Sequence, residues 1–303
     1  MLSHGLGVGM QLPIQSHSRI YVADWELSAG PGDLIRVAQA ADAAGLLYVA
    51  TCDHVAVPAD LASRMGTFWT DPVATLGHLA GVTTRVRLLT HVYVLAYRHP
   101  LVAAKAFATL DWLSGGRVVA GVGAGHVEGE FAALGVDYPA RGVLLDSAIG
   151  QLSEALCHEF VDGVGAQPRP VQRPRPPIWV GGSSRPALRR AAALGDGWLP
   201  QGTPRTELPA AIAYLREQRE VAGRAGDPLD VGANSEPIYV GTPSWDVGRW
   251  TRTGSPAELA ESLREFAAMG VTNVQVRFPA RSCDELVDQI AAFGAEVLPL
   301  LES

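Results

Sequence analysis

Asp53 and His54 stand together directly after a short apolar segment, residues 46–51, that has the character of a buried strand. A histidine at the end of a strand can give or accept a proton near neutral pH, which is the work of a general acid or base. The neighbouring carboxylate could orient a ring or accept a hydrogen bond from a ligand. The alternative is a satisfied polar pair with no chemical role. His91 and His126 also lie where predicted strands end, so they face the same predicted pocket.

A second candidate site is the run Gly181, Gly182, Ser183 and Ser184. A predicted buried strand ends in the two glycines, and the serines open a helix. Several backbone N–H groups and the positive end of the helix dipole then point at one spot, where a phosphate can bind. An ordinary glycine turn with a serine cap is the alternative. Barrels often hold a phosphate in their late loops, which favours the phosphate interpretation.

Several other chemistries are not predicted. The sequence has no HExxH, no paired CxxC and no dense acidic cluster, so no metal site is expected. It has no GxSxG motif for acyl transfer. Lys105 is the only lysine and lies in a predicted helix, which argues against a Schiff-base aldolase. The cysteines Cys52, Cys157 and Cys283 are widely spaced, as is typical of reduced thiols.

The elements that must position these residues form a regular series. Eight segments have strand character and mostly alternate with helical patterns: 7–11, 46–51, 86–95, 117–122, 178–181, 197–200, 231–240 and 271–278. Helix starts are well marked, for example by Asp71-Pro72 and Ser255-Pro256. This series predicts a (β/α)8 TIM barrel, an α/β fold, in one domain spanning residues 1–303, rather than an open doubly wound sheet. Functional groups are then expected at the carboxyl ends of the strands.

Two connections, residues 13–32 and 241–254, are longer than a barrel needs. They follow the first and seventh predicted strands and carry Trp25, Trp245 and Trp250. We expect them to act as lids that bring apolar surface to a pocket. The alternative is that these tryptophans pack on the barrel rim or in a dimer contact.

Charge and hydropathy narrow the choice of partners. The net charge is −7 and the basic residues are dispersed, so no nucleic-acid surface is predicted. No apolar run reaches about 18 residues, and the first residues lack a signal-peptide pattern. The expectation is a cytoplasmic protein with no membrane partner that acts on a small organic molecule.

Longer motifs carry a resemblance to a known family. They are DHVAVP at 53–58, DPVATLGHLAGVTTRVRL at 71–88, YRHPLVAAKAFATLDWLSGGRVVAGVGAG at 97–125, EFAALGV at 130–136, PVQRPRPPIWVGGSS at 170–184 and GDGWLP at 195–200. Together they resemble the luciferase-like monooxygenase family, and particularly its branch that depends on the deazaflavin coenzyme F-420. The resemblance covers nearly the whole chain.

The resemblance implies a (β/α)8 barrel, usually a homodimer, that binds F-420 or FMN with the ring at the carboxyl ends of the strands. It maps ring contacts to Asp53, Thr90, His91 and Val92, with a cis peptide bond at His91-Val92. It maps the phosphate to the run from Gly181 to Ser184, with Gly197 and Trp198 nearby. His54 matches the catalytic histidine of the sugar-phosphate dehydrogenase branch.

This chain departs from the family pattern at two positions. Family members often have tryptophan or glutamate in place of His126, and serine, glycine or alanine in place of His91. The connector before the fifth strand is also shorter than usual. These departures bear on the substrate and the ring environment more than on the class of cofactor.

The expected function is F-420-dependent hydride transfer, in which carbon 5 of the deazaflavin exchanges hydride with an organic substrate. His54 would move the accompanying proton, with His126 as a second candidate catalytic residue. An alternative is a monooxygenase that uses reduced FMN and O2. A second alternative is a non-catalytic barrel that binds a flavin as a carrier or sensor.

Overall fold

Eight parallel strands close into a barrel in the computed structural model, which describes residues 5–18 and 22–301. In chain order the strands of this part are β1 (Gly7–Gln11), β2 (Tyr48–Thr51), β3 (Arg87–Thr90), β4 (Tyr93–Val94), β5 (Val118–Gly123), β6 (Phe160–Val161), β7 (Val164–Gly165), β8 (Ile178–Gly181), β9 (Gly197–Leu199), β10 (Asp230–Asn234), β11 (Ile238–Val240), β12 (Arg252–Gly254) and β13 (Asn273–Val276). The helices are α1 (Pro31–Ala44), α2 (Ala62–Met65), α3 (Pro72–Ala80), α4 (Pro100–Ser114), α5 (Glu128–Leu134), α6 (Arg141–Cys157), α7 (Arg185–Leu194), α8 (Leu208–Val221), α9 (Pro256–Ala268), α10 (Cys283–Ala292) and α11 (Leu298–Leu301).

The barrel closes in the order β1-β2-β3-β5-β8-β9-β10-β13, with β13 pairing back onto β1. The predicted (β/α)8 fold, with its long loops after the first and seventh barrel strands, is therefore confirmed. Each of the eight predicted strand segments contributes one barrel strand. All carboxyl ends lie on one face of the barrel, because the strands are parallel.

Two predicted strands are each divided into two strands in the structure. The segment 86–95 divides into β3 and β4 around a cis peptide bond between His91 and Val92, which is the bond that the resemblance implied. The segment 231–240 divides into β10 and β11, and β11 leaves the barrel to pair with β12. Residues 88–95 form a largely apolar run that hides the first break, whereas the polar and proline residues of 234–237 mark the second.

The lower part of the barrel interior is filled by side chains. Tyr48 and Trp179 meet edge to face, with ring centroids 5.9 Å apart, and Leu89, Val119 and Leu199 pack around them. Gly9 makes room for the Tyr48 ring, since a Cβ there would lie 2.4 Å from it. This cluster of side chains fills the amino end of the barrel, so a site can form only at the carboxyl end. A larger apolar cluster lies between the strands and the helices.

The helix starts follow the predicted caps. Asp71 accepts a hydrogen bond from the N–H of Ala74 at the start of α3, and Ser255 and Glu258 form a capping box at the start of α9. Such caps satisfy N–H groups that have no partner inside the helix. The caps fix where each helix leaves the strand before it.

No helix in residues 5–18 and 22–301 has the length and apolar character needed to cross a membrane. The same described part contains no group of three or more His, Cys, Asp or Glu side chains that could hold a metal ion.

Asp42, near the end of α1, fixes the entry into β3. Its carboxylate accepts hydrogen bonds from the N–H groups of Thr84, Arg85 and Val86, at 2.9, 2.7 and 2.6 Å. Burial raises the pKa of this carboxyl, but the hydrogen bonds outweigh burial, and the pKa falls below its ordinary value of 3.8. The ionised form is therefore the one that holds the turn.

We predict that Asp42→Asn lowers the free energy of unfolding by about 2 kcal/mol at neutral pH, because an amide cannot accept from all of these donors. The loss should shrink as the pH falls below 3.8, since protonation then removes the same interaction from the wild-type protein. Urea unfolding at pH 7 and pH 3 measures both effects. Asp137→Asn, at an exposed position, is the control. An equal loss for both variants would contradict the assignment.

Candidate active site

Two adjoining cavities open at the carboxyl ends of the strands. Their volumes are about 1010 Å³ and 450 Å³, and both are large enough for a small molecule. Six side chains line both cavities and so mark their junction: Gln11, Cys52, His54, His126, Gln201 and Arg277. The two candidate catalytic histidines of the sequence therefore stand where the cavities meet.

His54 is held by the carboxylate of Glu130, a residue for which the sequence predicted no role. Its Nδ1 lies 2.8 Å from Oε2 of Glu130, whose side chain is 0% exposed. The other carboxylate oxygen, Oε1, accepts from the N–H groups of Val55 and Ala56, at 2.7 and 3.2 Å. Tyr97 donates its hydroxyl to Oε2 at 3.3 Å. One buried group thus fixes both the imidazole and the loop that carries it.

The charge state of Glu130 determines the tautomer of His54. Burial opposes ionisation of the carboxyl, but the hydrogen bonds from His54 and from the two N–H groups outweigh it and lower the Glu130 pKa. An ionised carboxylate only accepts hydrogen bonds, so Nδ1 of His54 carries a hydrogen. Nε2 makes no hydrogen bond within the described residues and is the atom left for a ligand.

His126 and Trp69 flank this imidazole. The His126 ring meets it edge to face, with centroids 5.8 Å apart, and the Trp69 ring lies at 4.3 Å. Burial is the main reason that the pKa of His126 is lowered; His54 lowers it further, while Glu130 raises it. His126 is therefore neutral at pH 7 and can accept a proton.

Asp53 forms an ion pair with Arg98 in the structure. Its carboxylate forms a bidentate ion pair with Arg98, with Nη1–Oδ2 and Nη2–Oδ1 distances of 2.5 and 2.8 Å. Oδ2 also accepts from the N–H of Val94 at 2.8 Å. Asp53 lines the smaller cavity, but these partners occupy its carboxylate. A ring contact by Asp53 stays a prediction.

His91 and Val92 form one wall of the smaller cavity. Nδ1 of His91 lies 2.8 Å from Oε1 of Gln275, and burial lowers the His91 pKa against the opposing effect of this hydrogen bond. Val92 sits against two glycines, since a Cβ on Gly123 or Gly181 would lie 2.4 or 2.6 Å from its side chain. Val92 therefore lies close to the strand backbone at Gly123 and Gly181. Contact of His91 and Val92 with a cofactor ring stays a prediction.

The glycine–serine run lines a part of the same cavity that we call its glycine end. Gly181, Gly182 and Ser184 line it, whereas Ser183 does not. The Ser183 hydroxyl donates to the carbonyl of Gln201 at 2.8 Å and accepts from Thr203 at 2.6 Å. Ser184 caps α7. An anion at this run would therefore bind to its backbone N–H groups and to the start of α7. Phosphate binding stays a prediction.

Thr90, Gly197 and Trp198 line neither cavity. The Thr90 hydroxyl donates to the carbonyl of Gly121 at 2.8 Å, inside the barrel. Gly197 makes room for Trp179, because a Cβ there would lie 2.4 Å from that ring. Trp198 is buried and donates from Nε1 to the carbonyl of Gly182 at 2.7 Å. Trp198 therefore supports the glycine run from behind.

The structure adds Arg141 to the glycine end of the smaller cavity. Its guanidinium donates to the carbonyl of Tyr138 at 2.9 Å and stacks on the Tyr138 ring at 4.0 Å. It forms no ion pair with a carboxylate in the described residues, unlike its cavity neighbour Arg190, which pairs with Asp146. The sequence signal for Arg141 was weak, because it lies at the start of α6, 40 residues before the glycines.

Both long loops cover the larger cavity. Trp25 from the first loop and Trp245 from the second line it, together with Trp69 and Phe278. Glu285 anchors the second loop through the Nε1 of Trp245, at 2.8 Å. These contacts support the lid interpretation for Trp25 and Trp245. Trp250 is 68% exposed and lines neither cavity.

A parallel barrel with a buried acid–base pair between two small-molecule cavities is the architecture of a barrel enzyme. The model of the family described as luciferase-like monooxygenase matches residues 8–247. The chain belongs to this family, and similar proteins include an FMNH2-dependent monooxygenase and a coenzyme F-420-dependent reductase.

Three similar proteins show the range of the family. An uncharacterized protein of Mycobacterium tuberculosis, Rv0953c, is 30% identical over 238 residues, 75% of this chain and 76% of that protein. The FMNH2-dependent dimethylsulfone monooxygenase of Pseudomonas putida is 28% identical over 176 residues, 54% of this chain and 45% of that protein. The solved coenzyme F-420-dependent tetrahydromethanopterin reductase of Methanopyrus kandleri has a TM-score of 0.74 and 18% identity, covering 98% of this chain and 99% of that one, which shows the shared fold.

We predict that Glu130→Gln changes the tautomer of His54. A glutamine that keeps its oxygen on the N–H groups of Val55 and Ala56 presents an NH2 donor to Nδ1, so the hydrogen moves to Nε2. Two-dimensional ¹⁵N NMR of the imidazole measures which nitrogen carries it. Tyr97→Phe is the control, because it removes a neighbouring hydroxyl and leaves the carboxylate. An unchanged tautomer in Glu130→Gln would contradict this assignment.

Proposed function

We propose that the protein is a coenzyme F-420-dependent oxidoreductase that transfers hydride between the deazaflavin and an organic substrate. The observation that carries this proposal is the position of His54, which Glu130 holds at the junction of the two cavities with Nε2 free. A cofactor ring in the smaller cavity and a substrate in the larger one would meet at this atom.

The smaller cavity offers a flavin-like cofactor two sets of contacts. One is the wall at Val92, which two glycines allow to lie close to the strands. The other is the glycine end, which combines the backbone at Gly182, the start of α7 and the guanidinium of Arg141, a set of groups suited to a phosphate. Its volume of about 450 Å³ is that of a small-molecule site.

The chain's own residues would supply proton transfer and exclusion of water. When bound, F-420 gives or takes a hydride at carbon 5. His54 moves the accompanying proton at Nε2, and Glu130 stabilises the imidazolium that forms when His54 accepts it. His126 stands beside it as a second acceptor. The lids that carry Trp25 and Trp245 cover the substrate and keep bulk water from the junction.

The larger cavity favours a bulky, partly apolar substrate. Trp25, Trp69 and Trp245 give it wide apolar walls, and the volume of about 1010 Å³ exceeds the needs of a very small alcohol. A homodimer and a cytoplasmic location are further predictions from the sequence.

A monooxygenase that uses reduced FMN and O2 is the second candidate. The same anion-binding end suits the phosphate of FMN, and the similarity to the dimethylsulfone monooxygenase supports this alternative. A covered cavity also suits a reaction that must exclude water.

We expect F-420 to bind with micromolar or tighter affinity and FMN to bind more weakly. Anaerobic titration with each cofactor, followed by its fluorescence, measures both dissociation constants. The reverse preference would replace the first proposal by the second. Binding of neither would remove the cofactor roles of the glycine run and of His91 and Val92.

We predict that His54→Ala lowers kcat by about 10²- to 10⁴-fold, as expected for loss of a general acid or base, and leaves the F-420 dissociation constant nearly unchanged. Single-turnover kinetics with reduced or oxidised F-420 measure the first effect and fluorescence titration the second. His78→Ala, at an exposed position on α3, is the control. Full activity of His54→Ala would exclude the proposed role.

A further inference from the structure

Three arginines without acidic partners stand beside the glycine end of the smaller cavity. Arg141 lines the cavity, and Arg185 directly follows Ser184, which also lines it. Arg189 lies one helical turn further along α7. We call Arg141, Arg185 and Arg189 the arginine rim. None of them forms an ion pair with a carboxylate in the part of the chain that the structure describes.

The rim is held in place by aromatic rings rather than by acids. The Arg185 guanidinium lies 4.0 Å from the ring centre of Tyr214 on α8, and Nη1 of Arg189 donates to the Tyr214 hydroxyl at 3.2 Å. Arg141 stacks on Tyr138 in the same way. The hydrogen bond from Arg189 is the main reason that the pKa of Tyr214 is lowered, and Arg185 lowers it further. The positive charges of the arginine rim are thus not neutralised by neighbouring carboxylates, although the chain as a whole has a net charge of −7.

Two of these arginines do not line the cavity proposed to hold the phosphate. Arg185 and Arg189 are exposed and face α8, outside the cavity. Their spacing of four residues places them on the same side of α7. A ligand that uses them must continue past Ser184 and carry more than one negative charge.

Resting on the function proposed above, we propose that the arginine rim binds the oligoglutamyl tail of F-420. Beyond its phosphate this coenzyme carries a lactyl group and a chain of glutamates, each with a free carboxylate, whereas FMN ends at the phosphate. The tail leaves the cavity at Ser184 and passes over Arg185 and Arg189. The rim therefore favours F-420 over FMN and long tails over short ones.

The test compares dissociation constants for F-420 with two and with six glutamates, for FMN, and for the tail-free deazaflavin riboside. At low salt the wild-type protein should bind the six-glutamate form more tightly than the two-glutamate form. Arg185→Gln/Arg189→Gln should weaken binding of the long form by about two- to thirtyfold, the range for the loss of two exposed ion pairs, and abolish the preference for the long tail. The preference should also fade as salt rises.

Arg216→Gln/Arg264→Gln is the charge-matched control. Both arginines lie on the outer helices α8 and α9 and line neither cavity. This variant should keep the tail-length preference. Circular dichroism of both double variants checks that they fold.

The outcomes separate this inference from the function on which it rests. Tight F-420 binding that ignores tail length, or that Arg185→Gln/Arg189→Gln leaves unchanged, would overturn the rim proposal and keep the F-420 proposal. An equal loss in the control would assign the effect to net charge and also overturn the rim proposal. Failure to bind either form of F-420 would overturn both.

Discussion

The buried carboxylate of Glu130 is the constraint on which the site depends. Glu130 lies on α5, and its partners come from two other parts of the chain: the loop after β2 and the 3-10 turn at Tyr97 before α4. A carboxylate that is 0% exposed is costly unless every oxygen is hydrogen-bonded, so these segments must meet in one arrangement. The same requirement fixes the Nδ1–H tautomer of His54. The geometry of the candidate site and the folding of the surrounding loops therefore depend on one group.

The rest of the carboxyl face is organised around that point. Arg98 forms an ion pair with Asp53, the residue next to His54. Asp53 therefore stabilises the loop and brings no unpaired charge to the cavity. Val92 fills the space that Gly123 and Gly181 leave, and it forms part of the wall of the smaller cavity. The two long loops line the larger cavity on the other side of His54. The junction separates a space suited to a cofactor from one suited to a substrate.

Much of this arrangement could be predicted from local patterns. Apolar segments, helix caps and glycine stops gave the eight barrel strands, and parallel strands place His54, His91, His126 and the glycine run on one face. Trp198 shows the limit of such reasoning. The resemblance places it near the phosphate, which stays a prediction. Only the structure shows that its Nε1 donates to the carbonyl of Gly182 from behind the run, since a fully apolar strand does not reveal which of its sides faces a cavity.

The sequence by itself therefore determined the family, the barrel and the end of the barrel where chemistry can occur. These follow from short-range periodicity and from motifs whose residues are neighbours in the chain. Only the tertiary structure decided the pairings: Glu130 with His54 across 76 positions, Arg98 with Asp53 across 45, and Gln275 with His91 across 184. Barrel closure brings these groups together, and a contact made by closure leaves no signal in the local spacing of either residue.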